Sequence, residues 1–255
     1  MLTRRNFMKG SMSVAGCSFC GRYAKAQSAS TYSSSAGCML EDWEAAPLMQ
    51  DEDIISYATG NEPIIPQSGI PGFDRALANS LARLTAVFNV LPGFGYYDDT
   101  GSNNAYATRA KRMNNDDGTV LFGKSMLQDL LTRTEAPDAA VLAVCAHEYG
   151  HIAQYKYGLQ DRLMAGQPTV RRAELNADYL AGYFAGKRKL ANANFPAVIF
   201  ATTQQSFGDN NVNSKGHHGT GQERGAAVQA GFEAAFTQKL DLNGAIAAGL
   251  AYVGA

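Results

Sequence analysis

Eight consecutive small or aliphatic residues, Ala139-Ala140-Val141-Leu142-Ala143-Val144-Cys145-Ala146, run straight into His147-Glu148-Tyr149-Gly150-His151. Pro137 suits a first helical turn and Gly158 the position just past a last one, so the sequence predicts a helix over 137–157. A helix that is apolar nearly all round belongs in an interior, with other elements packed on every side of it. This one also carries two imidazoles and a carboxylate inward, and buried polar groups need partners.

Residues four apart lie on one helical face, so His147 and His151 can offer both rings to one ion. Glu148 is next along and can reach a water bound to that ion. This is the H-E-x-x-H pattern of zinc peptidases, with two metal ligands and a general base. A catalytic zinc site needs a third protein ligand. A histidine six residues after the second one is excluded, because Tyr157 stands there and Gln154 replaces the glycine between. Glu174-Leu175-Asn176-Ala177-Asp178 begins 23 residues after His151 in the next helical stretch. Glu174 can complete the site, and Asp178, again four residues on, can accept the free N–H of a ligand histidine.

Around this helix the chain is patterned as α+β and mainly helical. Phe73, Leu77, Leu81, Leu84 and Phe88 recur at helical spacing up to a stop at Leu91-Pro92-Gly93. Short strand-like stretches follow at Phe94 to Tyr97, Asn104 to Thr108 and Thr119 to Phe122, with Asp117-Gly118 as a hairpin signal. Helices are then expected over roughly 124–133, 137–157, 168–187, 194–206 and 222–253. Residues 68–255 form the expected catalytic domain. Residues 27–67 read as a Ser-rich linker and N-terminal arm containing Trp43, Pro63 and Pro66.

The formal net charge of −1 averages two unlike parts. Residues 1–26 hold five of the 22 basic side chains (Arg4, Arg5, Lys9, Arg22 and Lys25) and none of the 23 acidic ones. The remainder carries 17 against 23, a net of −6, which argues against a nucleic-acid partner. The paired arginines, a short apolar stretch from Ser11 to Cys20 and Ala24-Lys25-Ala26 have the order of a cleavable export leader. Thr3 to Lys9 resembles a twin-arginine export signal, implying a periplasmic or secreted protein. Val14-Ala15-Gly16-Cys17 resembles a lipobox, the alternative in which lipidated Cys17 anchors the chain to the cell envelope. Beyond the leader only Cys38 and Cys145 remain, compatible with one disulfide or with a buried free thiol. No run of 18 apolar residues occurs to form a transmembrane span.

Three separated blocks resemble the gluzincin zinc peptidases, in particular bacterial neutral zinc metallopeptidases and soluble relatives of the HtpX-type and CAAX prenyl endopeptidases. They are Val141 to Gln154, Glu174 to Ala181 and His218 to Arg224. The resemblance implies a zincin-like fold with one Zn2+ per chain on His147, His151 and Glu174, and Glu148 as general base. It implies Asp178 as the residue orienting His147, and His218 as the donor to the oxyanion, with adjacent His217 as its rival. Arg224 is implied to anchor the site by pairing with an acid such as Asp178. A weaker match at Asn104 to Ala107 and Thr119 to Phe122 implies an edge strand beside the active-site helix. Asn104 and Val120 would mark it, with a peptide or unfolded-protein substrate lying along it. The competing expectation is a zinc-stabilised binding or chaperone-like module of the cell envelope with little or no turnover.

Overall fold

Residues 61–114 and 117–255 are described by a computed structural model. The expected leader with Cys17 and Cys20, and the part of the arm with Cys38 and Trp43, lie outside the described residues. Pro71 opens helix α1 (Pro71–Phe88), which buries Phe73, Leu77, Leu84 and Phe88 on one stripe and ends at Asn89 in the left-handed conformation. Three strands follow: β1 (Gly93–Tyr97), β2 (Ala105–Thr108) and β3 (Thr119–Gly123).

Their order is β1-β3-β2, with β3 parallel to β1 and antiparallel to β2. Val120 therefore sits on the central strand, opposite Phe94 on one side and Ala107 on the other. This corrects its expected place on a substrate-binding edge. The reason is topological: β2 lies within the crossover joining β1 to β3, and no turn signal in the sequence announces a parallel partner. The β2–β3 pair is a hairpin closed by residues 109–118, longer than the tight turn that Asp117-Gly118 suggests.

Alternation along the strands gives the sheet two faces. Ala105, Ala107, Val120 and Phe122 join the main core with Val141, Val144 and Phe184, while Tyr97, Tyr106 and Leu121 cluster on the other face with Ile64. Ile65 bridges Tyr96 through two backbone hydrogen bonds of 2.7 and 2.8 Å. The end of the arm is thus built into the fold.

Helix α2 (Lys124–Leu131) continues directly from β3. The central α3 (Pro137–Lys156) is buried from Ala139 through Gln154, as its composition requires. A short α4 (Gln160–Met164) leads to α5 (Arg171–Ala191), α6 (Val198–Ser206), α7 (Gly221–Phe236) and α8 (Leu242–Tyr252). The single helix expected over 222–253 is two. Lys239 adopts a positive φ of 58°, and the Asp241 side chain accepts from Gly244 N at 2.8 Å, capping a fresh start.

Helices α5 and α7 pack backbone to backbone. A Cβ on Gly182 would overlap the Val228 carbonyl oxygen, and one on Gly231 that of Tyr179. Only glycine permits this approach. No helix among the described residues is long and apolar enough to cross a membrane.

Candidate metal centre

His147 and His151 stand one turn apart on α3, and Glu174 approaches them from α5. The two Nε2 atoms are 3.1 Å apart, and Glu174 places Oε2 3.2 Å from His147 and Oε1 3.4 Å from His151. All three side chains are buried, and they form the one His/Cys/Asp/Glu group among the described residues spaced to hold a metal ion.

The hydrogen bonds behind the rings decide what those atoms present. His147 Nδ1 lies 2.7 Å from Asp178 Oδ1, an acceptor, so that nitrogen carries the proton and Nε2 the lone pair. Gln154 Nε2 donates to Ala173 O at 2.8 Å and to Asn176 Oδ1 at 3.1 Å, so its Oε1 is the atom 3.0 Å from His151 Nδ1. His151 Nε2 therefore also presents a lone pair. Two imidazole lone pairs and a carboxylate facing one another at 3.1–3.4 Å repel unless a cation lies between them. Ligand atoms about 2.0–2.1 Å from a tetrahedral metal ion are about 3.3 Å from each other, so this spacing fits one ion.

Asp178 has a second partner. Arg224 of α7 donates Nε to Asp178 Oδ2 at 2.7 Å and a terminal nitrogen to Oδ1 at 3.0 Å. That terminal nitrogen also donates to Gln204 Oε1 at 3.0 Å, while Gln204 Nε2 donates to Ala143 O on α3. Burial alone would raise the Asp178 carboxyl, but the Arg224 guanidinium and the hydrogen bonds from His147 and Arg224 outweigh it and hold it below the ordinary range.

Glu148 is fully buried and lines a cavity of about 20 Å³ with His147, Ala105, Met126, Val144, Phe207 and Arg224. That volume accommodates about one water. The loop before α7 is exposed at Asn211 to Asn213 and at Lys215, but it turns inward at His217 and His218, which are 3% and 5% exposed. Both grip Asp209: His217 Nδ1 lies 2.6 Å from Oδ1, and His218 places its backbone N at 3.0 Å and Nδ1 at 3.3 Å from Oδ2.

Asn104 heads the edge strand β2, but its backbone is already committed, which corrects its expected role. Its N–H donates to Asp99 Oδ2 at 3.1 Å, and its carbonyl accepts from Gly123 N at 3.0 Å and Tyr97 OH at 3.1 Å. Because Asn104 faces β3, alternation turns the backbone groups of Ala105 and Ala107 outward. The Ala107 carbonyl accepts from Tyr155 OH at 3.4 Å, leaving Ala105, beside the cavity, as the outward position nearest the centre.

The sequence pattern names His147, Glu148, His151, Glu174 and Asp178, and the resemblance adds His218 and Arg224; the fold gathers all of these but His218 in one region, and His218 is held by Asp209 in the loop before α7. Gln154, Asn176, Gln204 and Asp209 went unrecognised. Gln154 alone had a legible signal, three residues after His151 on the same helical face. Comparison with known protein families, with curated proteins and with solved structures finds no match for this chain.

Proposed function

We propose that the chain is an exported zinc-dependent metallopeptidase similar to the gluzincins. The observation supporting this most is the convergence of two buried imidazole nitrogens and a buried carboxylate, at spacing that fits one ion, beside Glu148 and a water-sized cavity. Histidine, histidine and glutamate are a nitrogen-rich donor set that suits Zn2+. A zinc ion held there supplies a Lewis acid and lowers the pKa of a bound water.

The residues of the chain have separate tasks in peptide hydrolysis. Glu148 accepts the proton of the attacking water on its carboxylate and delivers it to the departing amine nitrogen. His218, steadied by Asp209, donates to the oxygen of the scissile carbonyl as negative charge develops there. Asp178, paired with Arg224, keeps His147 in the ligating tautomer. A substrate strand would add at Ala105 on the β2 edge. The twin-arginine-type leader supports export of a mature protein with a net charge of −6.

One observation favours a second reading, a metal-stabilised binding module without turnover. Glu148 is wholly buried and the adjoining cavity has room for a water but not for a peptide, so cleavage requires Ala105, Met126 and Phe207 to move apart. Purified protein separates the two. Stoichiometric zinc with casein cleavage that Glu148→Gln abolishes, zinc being retained, supports the peptidase. Zinc retention without cleavage by the native protein supports the module. A His151→Ala protein that still holds stoichiometric zinc refutes the metal assignment, and the mass of the mature N-terminus distinguishes cleavage before Gln27 from a lipidated Cys17.

A further inference from the structure

The two ligand histidines are held by different chemistry. Behind His147 stands a carboxylate neutralised by an arginine; behind His151 stands a neutral amide. We propose that Gln154, locked by Asn176, is a positioning residue that fixes the tautomer and direction of His151 for the metal. The proposal rests on the metal-centre reading and assigns roles to two residues that the H-E-x-x-H pattern does not include.

The lock follows from donor and acceptor counting. Both Nε2 hydrogens of Gln154 are used, one on Ala173 O and one on Asn176 Oδ1. Turning the amide over would bring Oε1 against the Ala173 backbone carbonyl, which cannot itself turn, and leave two donors beside His151. Gln154 therefore offers His151 only an acceptor, Nδ1 must keep its proton, and Nε2 must face Glu174. Gln154, Asn176 and His151 are all buried, so water cannot substitute for a lost partner.

A neutral partner also suits the charge of the site. Glu148, Glu174 and Asp178 already place three carboxylates around the rings, against one arginine. A fourth carboxylate at position 154 would add to that repulsion and could not donate to Ala173 O or Asn176 Oδ1. Asn176 lies two residues after Glu174 on α5, so one turn of helix supplies both the third ligand and the lock on the second. Helix α8 closes over the lock, where a Cβ on Gly249 would lie 3.0 Å from Asn176 Nδ2.

The test uses the full chain, with Zn2+ affinity measured against a chromophoric chelator and the visible spectrum of the Co2+-loaded protein. Gln154→Leu is expected to weaken Zn2+ binding about 10–100-fold and to shift the Co2+ bands, which a merely structural role would not move. Asn176→Ala is expected to give a smaller loss in the native background and no further loss in the Gln154→Leu background, because the two act as one unit. Asn176→Ala leaves Gln154 in place and reports the same observables if Gln154→Leu does not fold. Affinity within twofold of native with an unchanged Co2+ spectrum, or fully additive losses in the double variant, overturns the proposal. Native protein that takes up no Zn2+ overturns the metal-centre reading and this inference with it; tight native binding that Gln154→Leu leaves intact overturns the inference alone.

Discussion

Arg224 Nε lies 2.7 Å from Asp178 Oδ2, and this contact ties α7 to α5 directly behind His147. Both side chains are buried, and the pair is further fixed by Gln204. Removing one partner from such a pair strands the other charge out of water. Arg224→Met is therefore expected to destabilise the metal-free protein by about 3–5 kcal/mol in urea unfolding. Adding Asp178→Asn should restore part of that loss, since no buried charge then remains unpaired. A double variant no more stable than Arg224→Met would count against this account.

The approach of α5 to α7 depends on the absence of two methyl groups. Gly182→Ala would drive a Cβ into the Val228 carbonyl oxygen, part of a helix backbone that cannot swing aside as a side chain can. A loss of about 3 kcal/mol is expected from the forced separation, visible as a lowered thermal midpoint. Since Arg224 rides on α7 and Asp178 on α5, any metal ion held at the candidate centre should be retained less well too. A fully stable Gly182→Ala protein would show that the helices tolerate separation.

Acid should loosen the loop and the start of α7 that carry His218 and Arg224. The Arg171 hydrogen bond, 2.5 Å from its nitrogen to Glu223 Oε1, outweighs burial and, with Thr220, lowers the Glu223 carboxyl from 4.5 to about 2. Burial would raise Asp209, but the His218 backbone N–H and His217 lower it from 3.8 to about 2. Both groups bind protons less readily in the folded state than in the unfolded one. Their stabilisation is therefore complete above about pH 4.5 and is lost as pH falls toward 2. Glu223→Gln should flatten the stability profile across that window; an unchanged profile would show that the pairing carries no linkage.

Cys145 is a free thiol, completely buried in α3, and burial followed by the nearby Glu148 carboxylate pushes its ionisation far upward. Native protein is expected to leave Cys145 unmodified by a thiolate-selective reagent over the time in which urea-unfolded protein reacts fully. Rapid native labelling at this residue would mean that α3 opens locally.

The members of the candidate metal centre were largely legible from spacing alone. A three-and-four residue repeat places His147, His151 and Gln154 on one face of α3, and the same repeat places Glu174 and Asp178 together on α5, because helix geometry is local. The apolar octet before His147 likewise required a buried helix, and α3 is one. Boundaries followed less well: the break at Asp241 is a capping choice within a sequence that helical periodicity runs straight through.

What spacing cannot encode is which elements become neighbours. Val120 reads as an edge position until β1 pairs with β3 from the far side. Asn104 reads as available until Asp99, Gly123 and Tyr97 take its backbone groups. Asp209, Gln204 and Asn176 have no local signal, since their partners come from distant helices and loops. By itself, then, the sequence determined the buried helix and the candidate metal ligands, set by interactions within a turn or two of chain. Only the tertiary structure decided the sheet order and which side chains orient the ligands. Those depend on α5 and α7 packing at Gly182 and Gly231, and on polar groups that must find partners once water is excluded.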